Sequence, residues 1–453
     1  MSAGLPSIRE AAAGLRSGGC SPADLVRECL QRIDRRPELN AFITVMRDRA
    51  LADADAAGRE LAAGRDRGNL HGIPVSVKDL VDVAGTPTTS GSSVPARTPT
   101  ADAAVVARLR DAGAIIIGKT NLHEFAFGTT SDESAFGPVR HPRDTQRSAG
   151  GSSGGAAVAL LEGMCLGSVG TDTGGSIRIP SAVCGIVGLK PAFGELPCDG
   201  IVPLSTTLDH VGPMARTVAD VAMMFEAMSG GVHHRPQPPG PFVFGVPEDY
   251  FCDRLDPAVR AALARTRATL AAAGHTVRSV AIEHAARTPE AYLHLVLPEA
   301  SWYHAPLLAE HADRYSPGVR LRLEMGRYVL AEDYVRARHL RSVLRRAVEQ
   351  ALQGCDALLL PAQPIPSPLL GATTVDVDGT LEPVRACMLR LTQLFNMTGH
   401  PAIALPAGTT PDGWPVGVQL VGRHGRTGHL LDLASAVEPY STGGDGSVGG
   451  GTG

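Results

Sequence analysis

Apolar residues near the start of the chain recur first at helical spacing and then at strand spacing. Ser21 and Pro22 form a pair typical of an N-cap and the first position of a helix. The apolar residues that follow at helical intervals are Leu25, Val26, Cys29, Leu30 and Ile33. The alternating apolar run over 73–77 then predicts a strand that ends at Lys78.

The same alternation continues farther along the chain. A second helical pattern over about 101–112 ends at Gly113, and the β-branched run 115–117 predicts the next strand. Alternating apolar residues over 416–420 predict a late strand. Helices that alternate with strands favour an α/β fold in which helices cover both faces of a sheet.

The segment 148–215 is unusually rich in glycine and serine. Such a composition is typical of a flexible linker, but apolar segments over 156–161 and 165–169 interrupt it. Because a linker lacks such segments, the glycines indicate tight turns and close approaches of the backbone.

The remaining segments suggest how the chain is organised. Its 453 residues fit two domains or one large α/β domain. Residues 285–352 predict helices rich in Arg and His that cover one side of the core, and 229–241 predict a surface excursion. We expect a catalytic domain over 1–440 and a flexible tail over 441–453.

Composition limits the function classes. Hydrophobic residues make up 43% and charged residues 19%, which is typical of a globular protein with a sizeable core. The net charge of −4 does not indicate a nucleic-acid partner. The eight cysteines have no metal-site spacing, and no apolar run is long enough to span a membrane. We therefore expect a cytoplasmic protein with free thiols and no metal site.

Two familiar patterns match by letter but not by chemistry. Residues 113–120 fit the phosphate-loop pattern GxxxxGK[ST], yet their three isoleucines favour a buried strand over a curled loop. Residues 150–154 fit the GxSxG nucleophile elbow, which requires an acid and a histidine downstream. The candidate histidines stand in no telling context and are His210, His304 and His400.

Three other residues suggest a different nucleophilic site, although each has an ordinary structural interpretation. Lys78 ends a buried strand, where burial lowers the pKa of the ammonium, but it could also pair with Asp79. Ser152 lies between glycine pairs that free its backbone angles, as in a turn or N-cap. Ser176 follows two glycines whose N–H groups suit an oxyanion hole or an anion-binding turn.

The blocks that contain these residues resemble the amidase signature family. The block GGSSGG lies at 150–155 and GTDTGGSIRIPSA at 170–182, and the spacing of Lys78 from both blocks also matches. The other similar segments are 72–79, 118–125, 185–191, 208–213 and 415–420, so that the resemblance extends over about 5–438. It implies a single large α/β/α domain with a central mixed β-sheet flanked by helices.

The resemblance also implies a catalytic relay without metal or cofactor. Lys78 would be the base, Ser152 the bridging hydroxyl that follows a cis peptide bond at Gly151–Ser152, and Ser176 the nucleophile. The oxyanion hole would consist of the backbone N–H groups of Thr173, Gly174, Gly175 and Ser176. The supporting residues would be Asp172, Arg178 and Ser153.

The substrate is less well defined by the sequence. The resemblance places Phe125, Phe127, Gly128 and Thr129 at an acyl pocket for a small apolar or aryl amide, a carbamate or an ester, although both phenylalanines also suit a core. Two alternatives are the glutaminase (A) subunit of a tRNA-dependent amidotransferase and an inactive scaffold of the same fold. The expected partner is a small-molecule substrate, with no nucleic acid and no membrane, and homodimer formation is left open.

Overall fold

The computed structural model describes residues 6–231 and 240–441 and contains a central sheet with two small hairpins. The strands are β1 Phe42–Val45, β2 Pro74–Lys78, β3 Ile115–Thr120, β4 Arg140–His141, β5 Asp144–Ser148, β6 Gly167–Asp172, β7 Val187–Lys190, β8 His210–Ala215, β9 Val243–Pro247, β10 Thr276–Val280, β11 Ala357–Pro361, β12 Thr374–Val377, β13 Thr380–Pro383, β14 Ala402–Thr409 and β15 Pro415–Val421.

Helices flank this sheet. They are α1 Ile8–Ser17, α2 Pro22–Arg35, α3 Arg47–Ala62, α4 Ala104–Asp111, α5 Gly154–Leu161, α6 Arg178–Cys184, α7 Val218–Met228, α8 Pro257–Ala272, α9 Thr288–His311, α10 Pro317–Met325, α11 Ala331–Ala351, α12 Val384–Leu389, α13 Gln393–Met397 and α14 Thr427–Ser441. In the described part of the chain, no helix is both long and apolar enough to cross a membrane.

Eleven strands of the described chain form one mixed sheet. Their order is β1-β3-β2-β6-β8-β7-β14-β15-β11-β9-β10. Strand β2 pairs in parallel with β3 and β6, whereas β8 runs antiparallel to β6 and β7. This arrangement confirms the predicted α/β fold with a central mixed sheet and flanking helices.

The local patterns correspond closely to the elements. Ser21 caps α2 in a capping box, and β2 and β3 are buried at every position, as expected of central strands. Helices α9, α10 and α11 occupy most of the predicted helical region 285–352. The excursion at 229–241 lies mainly outside the described residues. Ser441 ends α14, and the rest of the predicted tail is also outside them.

Parallel pairing determines where the candidate site lies. Val77 of β2 is in register with Val169 of β6, so the strand ends that follow them lie side by side. These ends carry Lys78 on β2 and the segment 171–172 on β6. Ligand sites of α/β sheets lie at such carboxyl ends.

Candidate active site

Lys78 is fully buried and has hydroxyl groups as its neighbours. Its Nζ donates to Ser152 Oγ at 2.7 Å and to Thr171 Oγ1 at 2.9 Å. Burial penalises the ammonium and lowers the Lys78 pKa to about 7, although the negative charges of Asp172 and Asp209 raise it in part. A lysine with such a pKa is partly neutral near pH 7 and is able to accept a proton.

The carboxylate next in sequence does not pair with Lys78. Asp79 Oδ1 instead lies 2.8 Å from Lys119 Nζ, and Asp79 Oδ2 accepts from the backbone N–H of Thr89 at 3.1 Å. The structure therefore differs from the alternative in which Asp79 neutralises Lys78.

The loop before α5 presents Ser152 to this lysine. The Gly151–Ser152 peptide bond is cis, which confirms the expectation from the resemblance. The Ser152 carbonyl accepts from the backbone N–H of His123 and from Ser131 Oγ, both at 3.2 Å. The backbone N–H of Ser153 donates to the Ser176 carbonyl at 3.2 Å. This bond ties the two serine loops together.

The segment 173–176 connects β6 to α6 and contains Ser176, which is almost fully buried. Gly175 has φ +144°, and a Cβ on Gly174 would lie 2.5 Å from Tyr292 Oη, so both positions require glycine. Within the described residues, none of the four N–H groups of 173–176 donates a hydrogen bond. Four such amides are available to a substrate oxygen.

The loops that carry the two serines are adjacent, as the bond from the Ser153 N–H to the Ser176 carbonyl shows, yet the two hydroxyls are not hydrogen-bonded to each other in the described structure. Among the described residues, no hydrogen bond joins Ser152 Oγ to Ser176 Oγ. Catalytic hydrogen bonds are often long in a free enzyme and shorten when substrate binds.

A buried ion pair stabilises the segment 173–176. Arg178 donates from Nε and Nη2 to the two oxygens of Asp172, each at 3.0 Å, and both side chains are fully buried. Burial alone would raise the Asp172 pKa, but the adjacent guanidinium lowers it well below its usual range. Asp172 Oδ2 also accepts the backbone N–H of Ile177 at 3.1 Å. The pair thus fixes the turn that follows Ser176.

Sequence reasoning missed several residues of this support. Asn396 Nδ2 donates to Asp172 Oδ1 at 2.8 Å, and Gln419 Oε1 accepts from Arg178 Nη1 at 3.0 Å. Thr392 Oγ1 donates to the Gly174 carbonyl at 2.5 Å. Thr171 lay inside the GTDTGG block and Gln419 inside the similar segment 415–420, in each case without a role, whereas Asn396 and Thr392 had no signal in the sequence.

An apolar cavity of about 390 Å³ adjoins the site on one side. Thr171 and Thr173 form part of its wall, and the remainder comes mainly from residues 192–211. Asp209 also faces it and accepts from Thr173 Oγ1 at 2.5 Å. Burial raises the Asp209 pKa to about 6.

A second cavity of about 620 Å³, which we term the polar cavity, contains two of the four predicted pocket residues. Gly128 and Thr129 line it. Phe125 instead packs in the core against the rings of His304 and Tyr315, and Phe127 is buried beneath Arg322. Neither phenylalanine lines either of these two cavities in the described structure. Ser176 does not line them either.

The two discounted patterns have the expected ordinary explanations. Most of the phosphate-loop match forms the extended strand β3, and Lys119 within it is buried. His210, one of the histidines considered for the elbow pattern, has Nδ1 2.7 Å from the Leu208 carbonyl. Ser152 Oγ, the elbow hydroxyl, accepts instead from Lys78 Nζ.

Comparisons with known proteins agree with this geometry. The family model described as Amidase matches residues 24–431. An amidase from Pseudomonas putida is 38% identical over 425 residues, which cover 90% of each chain. The (A) subunit of the glutamyl-tRNA(Gln) amidotransferase from Syntrophus aciditrophicus (strain SB) is 33% identical, and the match covers 95% of this chain and 96% of that relative.

The fold also matches that of a solved structure. It is described as an amidase, is 40% identical in sequence and superposes with a TM-score of 0.92 over 96% of this chain and 99% of its own. The family match over 24–431 includes the loops of the candidate site. The chain therefore belongs to the amidase signature family and is an amide-hydrolysing enzyme.

Proposed function

We propose that this enzyme cleaves a small amide through an acyl-enzyme on Ser176, with Ser152 as the bridging hydroxyl and Lys78 as the base. The observation that carries the proposal is the 2.7 Å contact between Lys78 Nζ and Ser152 Oγ, in a buried setting that lowers the lysine pKa to about 7. A buried lysine without a carboxylate partner has the basicity that the relay requires.

The acylation step follows from this arrangement. Neutral Lys78 accepts the Ser152 proton as Ser152 accepts the Ser176 proton, and the Ser176 oxygen bonds to the amide carbon. The C–N bond then breaks, and Ser152 returns a proton to the departing nitrogen. Water hydrolyses the resulting ester by the same proton transfers in reverse, which regenerates Ser176.

The segment 173–176 would stabilise the developing oxyanion. Its amide N–H groups make no hydrogen bonds within the described structure, and the Asp172–Arg178 pair limits their movement. Preorganised donors of this kind contribute strongly in a site that excludes water. Asp172 and Arg178 act on the segment 173–176 and not on the substrate. The backbone N–H of Ser153 donates to the Ser176 carbonyl and so links this segment to the loop that contains Ser152.

The apolar cavity supports an apolar or aryl group on the substrate. Its wall includes Leu196, Ile201 and Leu204 and extends to Thr171, the second partner of Lys78. A cavity with few polar groups favours an aromatic ring or short alkyl chain over a charged one. Carbamates and esters with such groups remain within the proposal, because the same acyl-enzyme chemistry cleaves them.

The second candidate function is the glutaminase subunit of an amidotransferase, which is supported by the 33% identity with such a protein. Glutamine carries an ammonium as well as a carboxylate, so its site requires an anion without a partner. The carboxylates of the polar cavity, Asp132 and Glu133, already have hydrogen-bond partners. Glutamine hydrolysis that appears only with added partner subunits would favour this alternative. A catalytically inactive scaffold is disfavoured because Lys78, Ser152 and Ser176 are all present.

The test of the proposed function is covalent labelling with a fluorophosphonate, followed by mass analysis of the labelled peptide. We expect the label on Ser176 and its loss in Ser176→Ala. The matched control is Ser342→Ala, which removes an exposed hydroxyl on α11. Full labelling of Ser176→Ala would rule out Ser176 as the nucleophile.

A cytoplasmic location stays a prediction. Homodimer formation, which the sequence leaves open, is added here as a proposal. Large apolar side chains exposed on α9 to α11 and their connections support self-association, and they include Trp302, Leu321, Tyr328 and Leu330. Sedimentation analysis of the wild-type protein and of a variant with polar residues at Trp302 and Tyr328 would test self-association. A monomeric wild-type protein at micromolar concentration would contradict the prediction.

A further inference from the structure

Arg385 lies in the wall of the polar cavity and forms no direct ion pair within the described residues, although the charge of Glu133 acts on it at longer range. It lines the cavity together with Arg322 and the loop that contains Gly128 and Thr129. Arg322 Nη2 donates to Glu133 at 3.2 Å, whereas Arg385 forms no hydrogen bond or ion pair in this part of the chain. Its Nε is shielded from solvent and has no acceptor among the described groups. A guanidinium in this setting is a ready anion-binding group.

Both guanidinium groups lie against the same aromatic ring. The Cζ atom of Arg322 is 5.3 Å and that of Arg385 is 5.5 Å from the centre of the Phe127 ring. The ring packs against both cations, and the positive charge of Arg322 acts unfavourably on Arg385, an effect that a bound anion would reduce. Burial lowers the Arg385 pKa to about 10, so the side chain keeps its charge at neutral pH.

Arg385 is also close to the reaction centre. It precedes Leu389 by four residues on α12, so the two side chains share one face of that helix. A Cβ on Gly174 would lie 2.9 Å from Leu389 Cδ2, which shows that this face of α12 packs against the segment 173–176. Arg385 also interacts electrostatically with Tyr292, whose Oη lies 2.5 Å from the position of a Cβ on Gly174, so the guanidinium is near the segment 173–176.

We propose, on the basis of the proposed function, that Arg385 binds a carboxylate on the acyl part of the substrate. The substrate class is then the amides of short dicarboxylic acids, in which a few bonds separate the amide carbon from the free carboxylate. A planar guanidinium binds two carboxylate oxygens side by side and so aligns the acyl chain. The amine part of the substrate extends away from this cavity.

The same cavity disfavours a zwitterion. Asp132 Oδ2 accepts the backbone N–H of Gly371 at 3.1 Å, and Glu133 Oε2 accepts from Arg322 at 3.2 Å and from Ser316 Oγ at 3.3 Å. These donors already offset part of the negative charge of both carboxylates, so an added ammonium gains less from them than from an unpaired carboxylate. The site therefore prefers an acid without an α-amino group.

The test measures binding separately from turnover. Calorimetry on the Ser176→Ala protein uses succinamate as the charged probe and butyramide as its neutral analogue of equal chain length. We expect succinamate to bind at least about tenfold more tightly than butyramide, and Arg385→Gln, added to Ser176→Ala, to weaken succinamate binding about 10- to 100-fold. Arg385→Lys keeps the charge but loses the planar fork, so its affinity for succinamate is expected to lie between those of the parent protein and Arg385→Gln.

The control is Arg336→Gln, added to the same protein, which removes an exposed cation of α11. It should leave succinamate binding as in the parent. Equal binding of succinamate with and without Arg385→Gln, or no succinamate binding at all, would overturn the proposal. Tighter binding of glutamine than of succinamate would also overturn it and would favour the amidotransferase alternative.

Failure of the proposed function has a different signature. If Ser176→Ala still hydrolyses the succinate monoanilide, Ser176 is not the nucleophile, and the result on succinamate binding is unaffected. The reverse outcome, Ser176-dependent turnover together with binding that is indifferent to Arg385, would remove only the carboxylate site.

Discussion

Lys119 and Asp79 form a fully buried ion pair, with 2.8 Å between Nζ and Oδ1. The pair lies next to the end of β2, since Asp79 follows Lys78 directly. Because Asp79 has Lys119 as its partner, Lys78 has only hydroxyl partners among the described residues and burial dominates its pKa. The second lysine thus keeps a carboxylate away from the proposed base.

Asp79→Ala should destabilise the protein strongly. It leaves the buried ammonium of Lys119 with the Pro87 carbonyl and Thr88 Oγ1 as its acceptors in the described structure. Breaking one side of a buried pair costs about 3–5 kcal/mol of the free energy of unfolding, which urea denaturation measures. The double variant Asp79→Ala/Lys119→Met should recover most of that loss, and a double variant no more stable than the single one would contradict the explanation.

The activity should increase with pH through the Lys78 titration. Lys78, as the proposed base, must be neutral to accept a proton, and its pKa is about 7, so kcat/KM for a neutral amide should be low at about pH 5.5 and level off above about pH 8. Initial rates between these limits measure the midpoint. The amide must carry no titrating group in this range, so that the midpoint belongs to the enzyme.

A charge variant distinguishes this assignment from other titrating groups. The negative charge of Asp209 raises the Lys78 pKa, and its removal in Asp209→Asn should move the midpoint to lower pH. An unchanged midpoint in this variant, with activity retained, would argue that another group controls the profile.

Much of this site can be predicted from sequence because its main residues lie on local patterns. Lys78 ends a recognisable strand, and Ser152 and Ser176 lie in glycine-rich loops next to α5 and α6. The supporting residues are different, since Gln419 is 241 positions from Arg178 and meets it only through the sheet order. An amide side chain on a buried strand has no periodicity that indicates its partner.

The pocket predictions show the same limit. Phe125 and Phe127 suited both a pocket and a core, and only the packing of α9 and α10 on this loop distinguishes the two. Arg385 appeared in no motif. Its proposed role depends on the packing against Phe127 and on the lack of a direct ion pair in the described chain, which are features of tertiary structure.

Lys78→Met should remove activity and increase stability near neutral pH. Between the folded pKa of about 7 and the ordinary value of 10.5, the unfolded state binds a proton that the folded state does not. The wild-type free energy of unfolding therefore gains a contribution that rises with pH across this window. Below about pH 7 burial of the charged lysine opposes folding, and Lys78→Met removes this cost.

Urea denaturation at about pH 6.5 and about pH 9 tests this prediction. The stability advantage of Lys78→Met should be larger at the lower pH and smaller at the higher one. Lys119→Met serves as the contrast, because the buried carboxylate of Asp79 loses its partner. This variant should be less stable than wild type at both pH values. A Lys78→Met protein less stable than wild type at the lower pH would contradict the assigned burial cost.

Gly174→Ala should reduce kcat about 100-fold with little loss of folded protein, because the new Cβ would lie 2.5 Å from Tyr292 Oη and push the oxyanion loop aside. Tyr292→Phe removes that oxygen, so the double variant should recover part of the lost kcat. Gly19→Ala, where the nearest atom is 3.5 Å away, is the matched control and should have normal rates. Steady-state kinetics on an anilide, with circular dichroism of each variant, separate misplacement of the loop from misfolding. If Gly174→Ala proves fully active, the amides of 173–176 do not form the oxyanion hole.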